Sequence, residues 1–170
     1  MAPSEDLDAV RKLAVLAQVA VIRIRAGNPA QRTALQRARS WWWGALEGAD
    51  SRRVPESGML WRDAWSQERV GWRERAAFLN GDELFGVDYE TCRRCKFGWV
   101  EQPTIYREKH RRCGLATAAL AALRQEHPGL QWHTLGGHLT DSVPFWEAVG
   151  RQVPGGYSRR TLCLHTHPGG

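Results

Sequence analysis

Apolar residues at Leu7, Val10, Leu13, Ala14, Ala17, Ala20, Val21 and Ile24 recur three and four positions apart, so the spacing predicts an amphipathic helix from Asp6 to Arg25. Ser4 or Asp6 is placed to cap it, and Gly27-Asn28-Pro29 ends it. Pro29 opens a second predicted helix through Arg39, up to the run Trp41-Trp42-Trp43. The Gly-, Asp-, Ser- and Pro-rich stretch from Gly44 to Gly58 reads as a connection. From Leu60 to Leu79 the apolar positions Trp61, Trp65, Val70, Trp72 and Phe78 fit either one amphipathic helix or a helix followed by a strand, and the pattern leans to helix. Residues 1–80 are therefore expected to be mostly helical.

The pattern then changes period. Asn80-Gly81 is a turn signal, and Glu83 to Tyr89 alternates apolar with polar residues as a strand does. Cys92-Arg93-Arg94-Cys95 makes a tight turn into a second predicted strand, Phe97 to Tyr106. An apolar helix from Leu115 stops at His127-Pro128-Gly129, with Arg124 and His127 suited to its negative end. Leu130 to Leu135 is a further strand, broken by Gly136-Gly137. Asp141 to Val149 is a helix, and after Pro154-Gly155-Gly156 a last strand runs from Tyr157 to Leu164. Strand, crossover helix and strand over 97–135 make a parallel pair, which places the chain in the α/β class. At 170 residues it is expected to be a single domain, with 81–165 as the core.

Charge adds a partner class. The formal net charge is +6, which favours anionic partners such as CoA, nucleic acid or acidic peptides without choosing among them. Nine tryptophans are too many to expose, so several must lie in the core or line a groove. The start Met1-Ala2-Pro3-Ser4-Glu5-Asp6 is acidic, unlike a signal peptide, and the apolar run Leu13 to Ile22 is too short to cross a membrane. A cytoplasmic location follows as the expectation, and there the four cysteines serve as thiols or metal ligands rather than disulfides.

The densest chemistry lies at His110-Arg111-Arg112-Cys113-Gly114-Leu115-Ala116, a basic turn that opens directly into the helix. A helix N-terminus presents unpaired N–H groups and partial positive charge, both of which favour a phosphate. Gly114 lets the backbone approach such a ligand, and Lys109, Arg111 and Arg112 add formal charge. With a strand before it, Arg111-x-x-Gly114-x-Ala116 resembles the acyl-CoA-binding motif of the GNAT acyltransferase superfamily. Ser142-x-x-Phe145-Trp146-Glu147-Ala148-Val149-Gly150 is similar to that family's penultimate helix. The resemblance covers roughly Cys92 to Leu164. It implies a GNAT-like mixed central sheet with a splayed parallel strand pair, preceded here by the helical N-terminal region. It also implies that Thr104, Ile105 and Tyr106 hold pantetheine, and that Arg111, Arg112, Cys113, Gly114, Leu115 and Ala116 hold the pyrophosphate. The implied activity is transfer of an acetyl group from acetyl-CoA to an amine.

Such a reaction needs a base for the amine proton. Glu101, on the strand where many family members carry a catalytic glutamate, is one candidate. His133 on the neighbouring strand is the second, since an unperturbed imidazole titrates near neutrality. The family's usual general acid is a tyrosine where this chain has Trp146, whose indole N–H cannot serve, so Tyr106 or Tyr157 would have to replace it.

Cys92-x-x-Cys95 between two strands has the form of a zinc knuckle, and Cys163-x-His165 supplies further ligands on the last strand. The resemblance to a GNAT sheet implies that this strand runs antiparallel to Leu130–Leu135, which brings its end near the knuckle. A structural zinc is then held by Cys92, Cys95, Cys163 and one of His165, His127 or His167. Two other readings compete with the acyltransferase: a nucleic-acid-binding zinc-knuckle module, and a CoA-binding regulator with weak catalysis. The basic residues are spread along the chain and no complete zinc-finger spacing occurs, which disfavours the first.

Overall fold

The computed structural model describes residues 3–19, 21–23 and 58–166. The predicted helix from Pro29, the Trp41–Trp43 run, and all but the last residue of the Gly44–Gly58 connection lie outside the described residues, as does His167.

The first helix is shorter than its apolar spacing predicts. α1 spans Pro3–Val15, a 3-10 turn follows at Leu16–Gln18, and β1 is Val21–Arg23. Val21 and Ile22 are β-branched and fit an extended backbone better than a helix. The Trp61 indole N–H donates to the Leu13 carbonyl at 2.7 Å, satisfying one acceptor of the helix's last turn.

Leu60–Leu79 is not a helix. It forms most of two antiparallel strands, β2 (Met59–Trp65) and β3 (Arg73–Leu79), paired from Met59↔Leu79 to Trp65↔Arg73. The alternation is hidden in the sequence because buried positions carry charge: Asp63 is 2% exposed and Arg75 0%. Asp63 accepts from Arg73, Arg75 and Tyr89, and Arg75 donates on to Glu126. Burial alone would raise the Asp63 pKa, but the Arg75 guanidinium and the Tyr89 hydroxyl outweigh it and hold the carboxyl below its ordinary range. A fully hydrogen-bonded cluster is the form in which buried charge is tolerated.

β4 (Asp82–Cys92), β5 (Phe97–Val100), β6 (Thr104–Ile105), β7 (Gln131–Thr134) and β8 (Ser158–Arg159) complete one mixed eight-stranded sheet in the order β1-β2-β3-β4-β5-β7-β8, with β6 on β4. β5 and β7 run parallel, joined by the crossover helix α2 (Leu115–Glu126). α3 (Val143–Gly150) precedes β8. The chain is thus α/β with a mixed sheet.

Two cores flank the sheet. The larger takes Val10 and Leu13 of α1, Leu115, Ala119, Leu120 and Leu123 of α2, Trp146 of α3, and inward residues of the strands such as Trp61, Phe85, Tyr89 and Trp132. The smaller holds Trp72, Cys92 and Trp99, with Phe97, Leu162 and Cys163 packed against them. In β4 the residues alternate between the two faces: Phe85, Val87 and Tyr89 on the first, and Gly86, Asp88, Glu90 and Cys92 on the second.

The last strand departs from expectation in direction and length. β8 is two residues long and parallel to β7, with His133↔Ser158 and Thr134↔Arg159 in register. Three consecutive left-handed residues re-aim the chain just before it: Gly155 (φ 87), Gly156 (φ 56) and Tyr157 (φ 54). A Cβ on Gly155 would lie 2.5 Å from the Trp132 carbonyl oxygen, so only glycine fits this approach to β7. No helix among the described residues is long and apolar enough to cross a membrane.

Candidate functional site

The β4–β5 hairpin carries different chemistry at its two ends. At the turn end, Cys92 is the last residue of β4 and pairs with Phe97, and Lys96 adopts φ 58 to close the four-residue turn. The chain beyond β8 leaves the ladder after the Arg160 N–H donates to the Thr134 carbonyl, and Leu162 and Cys163 come down on Trp72, Cys92 and Trp99. This route, not an antiparallel last strand, brings Cys163 to the knuckle.

One ligand atom from each of Cys92, Cys95, Cys163 and His165 lies within 4.8 Å of every other, and Cys95 Sγ is 3.2 Å from His165 Nδ1. These four residues could hold a metal ion. Burial opposes ionisation of Cys163, but the His165 backbone N–H and the Cys92 and Cys95 thiols outweigh it and hold the thiol below its ordinary pKa. Cys92 is buried, Cys95 and Cys163 half-buried and His165 exposed. Of the three candidate fourth ligands, His127 lies elsewhere, its ring between those of Tyr89 and Trp132 at 5.8 and 6.3 Å.

At the other end of the hairpin β5 stops at Val100. Between the pairs Tyr89↔Val100 and Gly86↔Thr104 one strand advances four residues and the other three, so Glu101-Gln102-Pro103 contains a one-residue bulge. Beyond it β6 pairs with β4 alone, while β7 keeps its register with β5 only as far as Val100↔Thr134. The expected continuous strand from Phe97 to Tyr106 is therefore broken in two.

Beside the bulge lies a cleft of about 200 Å³ lined by Glu68, Arg69, Glu74, Gly86, Val87, Asp88, Glu101, Gln102, Thr104 and Tyr106. Four carboxylates face one guanidinium there, in a chain whose net charge is +6. Arg69 reaches Glu101 at 3.3 Å and Asp88 at 3.8 Å, and Arg62 pairs with Glu74 at 2.8 Å. Burial raises the Asp88 pKa against the pull of its Ser66 hydrogen bond, and nearby Glu74 adds to the rise. The Tyr106 hydroxyl lies over Gly86 and is pushed up to about 12 by burial and by Glu83 and Glu74.

The basic turn is exposed at Arg111, Arg112 and Gly114, with Cys113 and Ala116 half-buried and Leu115 buried in the larger core. Arg112 (φ 61) and Gly114 (φ 87) are both left-handed, and Gly114 is the N-cap of α2 with no side chain bonded to the first amides. Lys109 is engaged elsewhere: its ammonium binds Asp6 of α1, and His110 Nε2 lies 3.0 Å from the same carboxylate. Lys109 and His110 together hold the Asp6 pKa down to about 2.

The two candidate bases are separated. Glu101 lines the cleft. His133 is 4% exposed and lies beneath β8, with Nδ1 3.2 Å from the Ser158 carbonyl oxygen. A carbonyl only accepts, so Nδ1 carries the proton. Burial lowers the His133 pKa, which keeps the ring neutral. The Trp146 indole N–H donates to Gln102 Oε1 at 3.1 Å, tying α3 to the bulge, and the Tyr157 hydroxyl accepts from Arg124 at 2.6 Å.

Sequence reasoning missed the carboxylates of Glu68, Glu74 and Asp88, the guanidinium of Arg69 and the amide of Gln102. The available signal was Gly86, Asp88, Glu90 and Cys92, every second residue of one strand and none of them large and apolar. Compared with known proteins, this chain matches no family model, no curated protein and no solved structure.

Proposed function

We propose that this chain is an acyl-CoA-dependent N-acyltransferase of GNAT type. The observation that carries the reading is the parallel pair β5–β7, which loses its partnership at Val100 just where the bulge turns β6 away. Of Thr104, Ile105 and Tyr106, the Tyr106 N–H is given to the Leu84 carbonyl at 3.1 Å, which leaves the backbone of Ile105, on the side of β6 away from β4, to take the pantetheine arm of acetyl-CoA. The uncapped start of α2, with Arg111, Arg112, Cys113, Gly114, Leu115 and Ala116, would take the pyrophosphate. The carboxylate-lined cleft favours a cation, which suits an amine acceptor.

In the reaction the acceptor nitrogen attacks the thioester carbonyl carbon, the C–S bond breaks and CoA leaves as its thiolate. Glu101 takes the amine proton; His133, buried under β8 and outside the cleft lining, is the weaker candidate. Trp146 has no titratable proton, and its N–H is committed to Gln102. Tyr106 is the remaining donor near the cleft for the thiolate. That constraint favours a second reading, a CoA-binding regulator with slow turnover.

We read Cys92, Cys95, Cys163 and His165 as a Cys3His zinc site. A tetrahedral zinc holds thiolate sulfurs at about 2.3 Å, hence about 3.8 Å from one another, and the observed spread accommodates this. All four positions are protein donors, which is the form of a structural site. Calorimetry with CoA and acetyl-CoA tests the main reading, and release of free thiol with a panel of amines separates enzyme from regulator. No binding of either nucleotide would refute both.

A further inference from the structure

The metal centre and the cleft are joined by a short chain of contacts. Cys163 and Leu162 cover Trp72 and Trp99, which are 2% and 0% exposed. After Arg159 the covering segment has no strand or helix to hold it. Its anchors are the Arg160 N–H donating to the Thr134 carbonyl at 2.8 Å, the Trp99 indole N–H donating to the Arg160 carbonyl at 3.1 Å, the Arg160 guanidinium 3.9 Å over the Phe97 ring, and the metal ligands. Trp72 in turn carries Arg69. The guanidinium lies 5.2 Å from the indole ring, and the Trp72 N–H donates to the Arg69 carbonyl at 3.1 Å. Ser66 closes the same turn: its hydroxyl accepts from the Arg69 N–H at 3.0 Å, and its own N–H donates to the Trp72 carbonyl at 2.9 Å. Arg69 and Trp72 are therefore tied into one hydrogen-bonded unit. The far end of that unit sits between Glu101 and Asp88.

We propose that metal occupancy at Cys92, Cys95, Cys163 and His165 governs the cleft, by clamping residues 160–165 over Trp72 and so holding Arg69 on Glu101 and Asp88. This rests on the zinc reading above. With metal bound, Trp72 has one packed position and Arg69 occupies the carboxylates. With metal lost, the covering segment keeps only its bonds at Arg160, Trp72 is uncovered, and Arg69 leaves Glu101 and Asp88 open to a cation from solution. The centre then sets the availability of the base as well as the fold of the tail.

The test uses the full chain in three states: as purified with zinc, after chelation, and after zinc is restored. Carbodiimide labelling mapped by mass spectrometry reads Glu101 and Asp88 individually, with Glu126 on the opposite face as an internal reference. Removal of zinc should raise labelling of Glu101 and Asp88 severalfold with Glu126 unchanged, and restoration should reverse it. Arg69→Ala and Trp72→Leu, both still binding zinc, should show the high labelling from the outset and no response to the chelator. A chain that binds no zinc removes the zinc reading and this inference together. Zinc that comes and goes without change at Glu101 and Asp88 leaves the structural site standing and overturns the coupling alone. A rise at Glu126 equal to that at Glu101 would mean general unfolding, which also overturns it.

Discussion

The two ends of β4 share a sheet face and differ in every chemical respect. At Cys92 the donors are soft thiols and an imidazole gathered within 4.8 Å, all from the protein, with no position left over. At Gly86 and Asp88 the groups are hard carboxylates spread around an open cleft, and the cation between them is a side chain from a surface turn. A closed donor set stabilises, whereas an open one with a replaceable partner is built to exchange. On the readings proposed above, the closed end would hold the fold and the open end would meet the ligand.

The strongest way to break it is at the closed end. Cys95→Ser and Cys163→Ser should each abolish binding of about one zinc per chain and lower the melting temperature by roughly 10 °C. Cys113→Ser, in the basic turn, should do neither. Elemental analysis and calorimetric melting read both effects. Equal loss from Cys113→Ser would erase the distinction between the two ends.

At the open end, Glu101→Gln should lower acetyl transfer on the order of 10²-fold once an acceptor is known, with acetyl-CoA affinity retained. His133→Ala should change the rate far less, and the reverse result would move the base beneath β8. Gly114→Asp should weaken CoA binding about tenfold or more relative to Gly114→Asn, because both tolerate the left-handed backbone and only one brings a negative charge to the phosphate site. Calorimetry on the matched pair separates charge from strain.

The smallest effect lies midway along the strand. Glu90 is half-buried, its carboxylate accepts from the Thr91 N–H, and burial pushes its pKa up to about 7. The folded state therefore holds a proton that the unfolded state loses near its ordinary value of about 4.5, so stability falls as pH rises between the two. Glu90→Gln should melt a few degrees higher than the parent at pH 8 and indistinguishably at pH 4. A higher melting point at pH 4 as well would point to a packing effect instead.

What could be read from the chain follows from where local pattern and tertiary position agree. Cys92-x-x-Cys95 and Cys163-x-His165 were legible because ligand spacing is local, although the direction assigned to the last strand was not. The three left-handed residues at Gly155–Tyr157 parallelise β8 with β7 through an approach that depends on Trp132, distant in sequence. α2 and the strand after it were legible from turn signals at Gly114 and Pro128-Gly129, whereas the strand before it was expected unbroken and the bulge at Glu101-Gln102-Pro103 was not seen. β2 and β3 were not, since Asp63 and Arg75 occupy core positions only because Tyr89 and Glu126 meet them there. The cleft was hidden for the same reason: β3, β4, the bulge and the Ser66–Trp72 turn each contribute one or two side chains.

The distance along the chain between the ligands has a consequence for the unfolded protein. Cys95 and His165 are 70 residues apart in sequence and 3.2 Å apart in the fold. An ion that ties them fastens a long loop, and a cross-link over such a loop removes conformational freedom from the disordered chain worth about 4 kcal/mol. A disulfide keeps that restriction in the unfolded chain, whereas an ion leaves when its ligands separate, so the metal would protect only by binding the folded chain, to an extent set by free zinc and undone by a chelator.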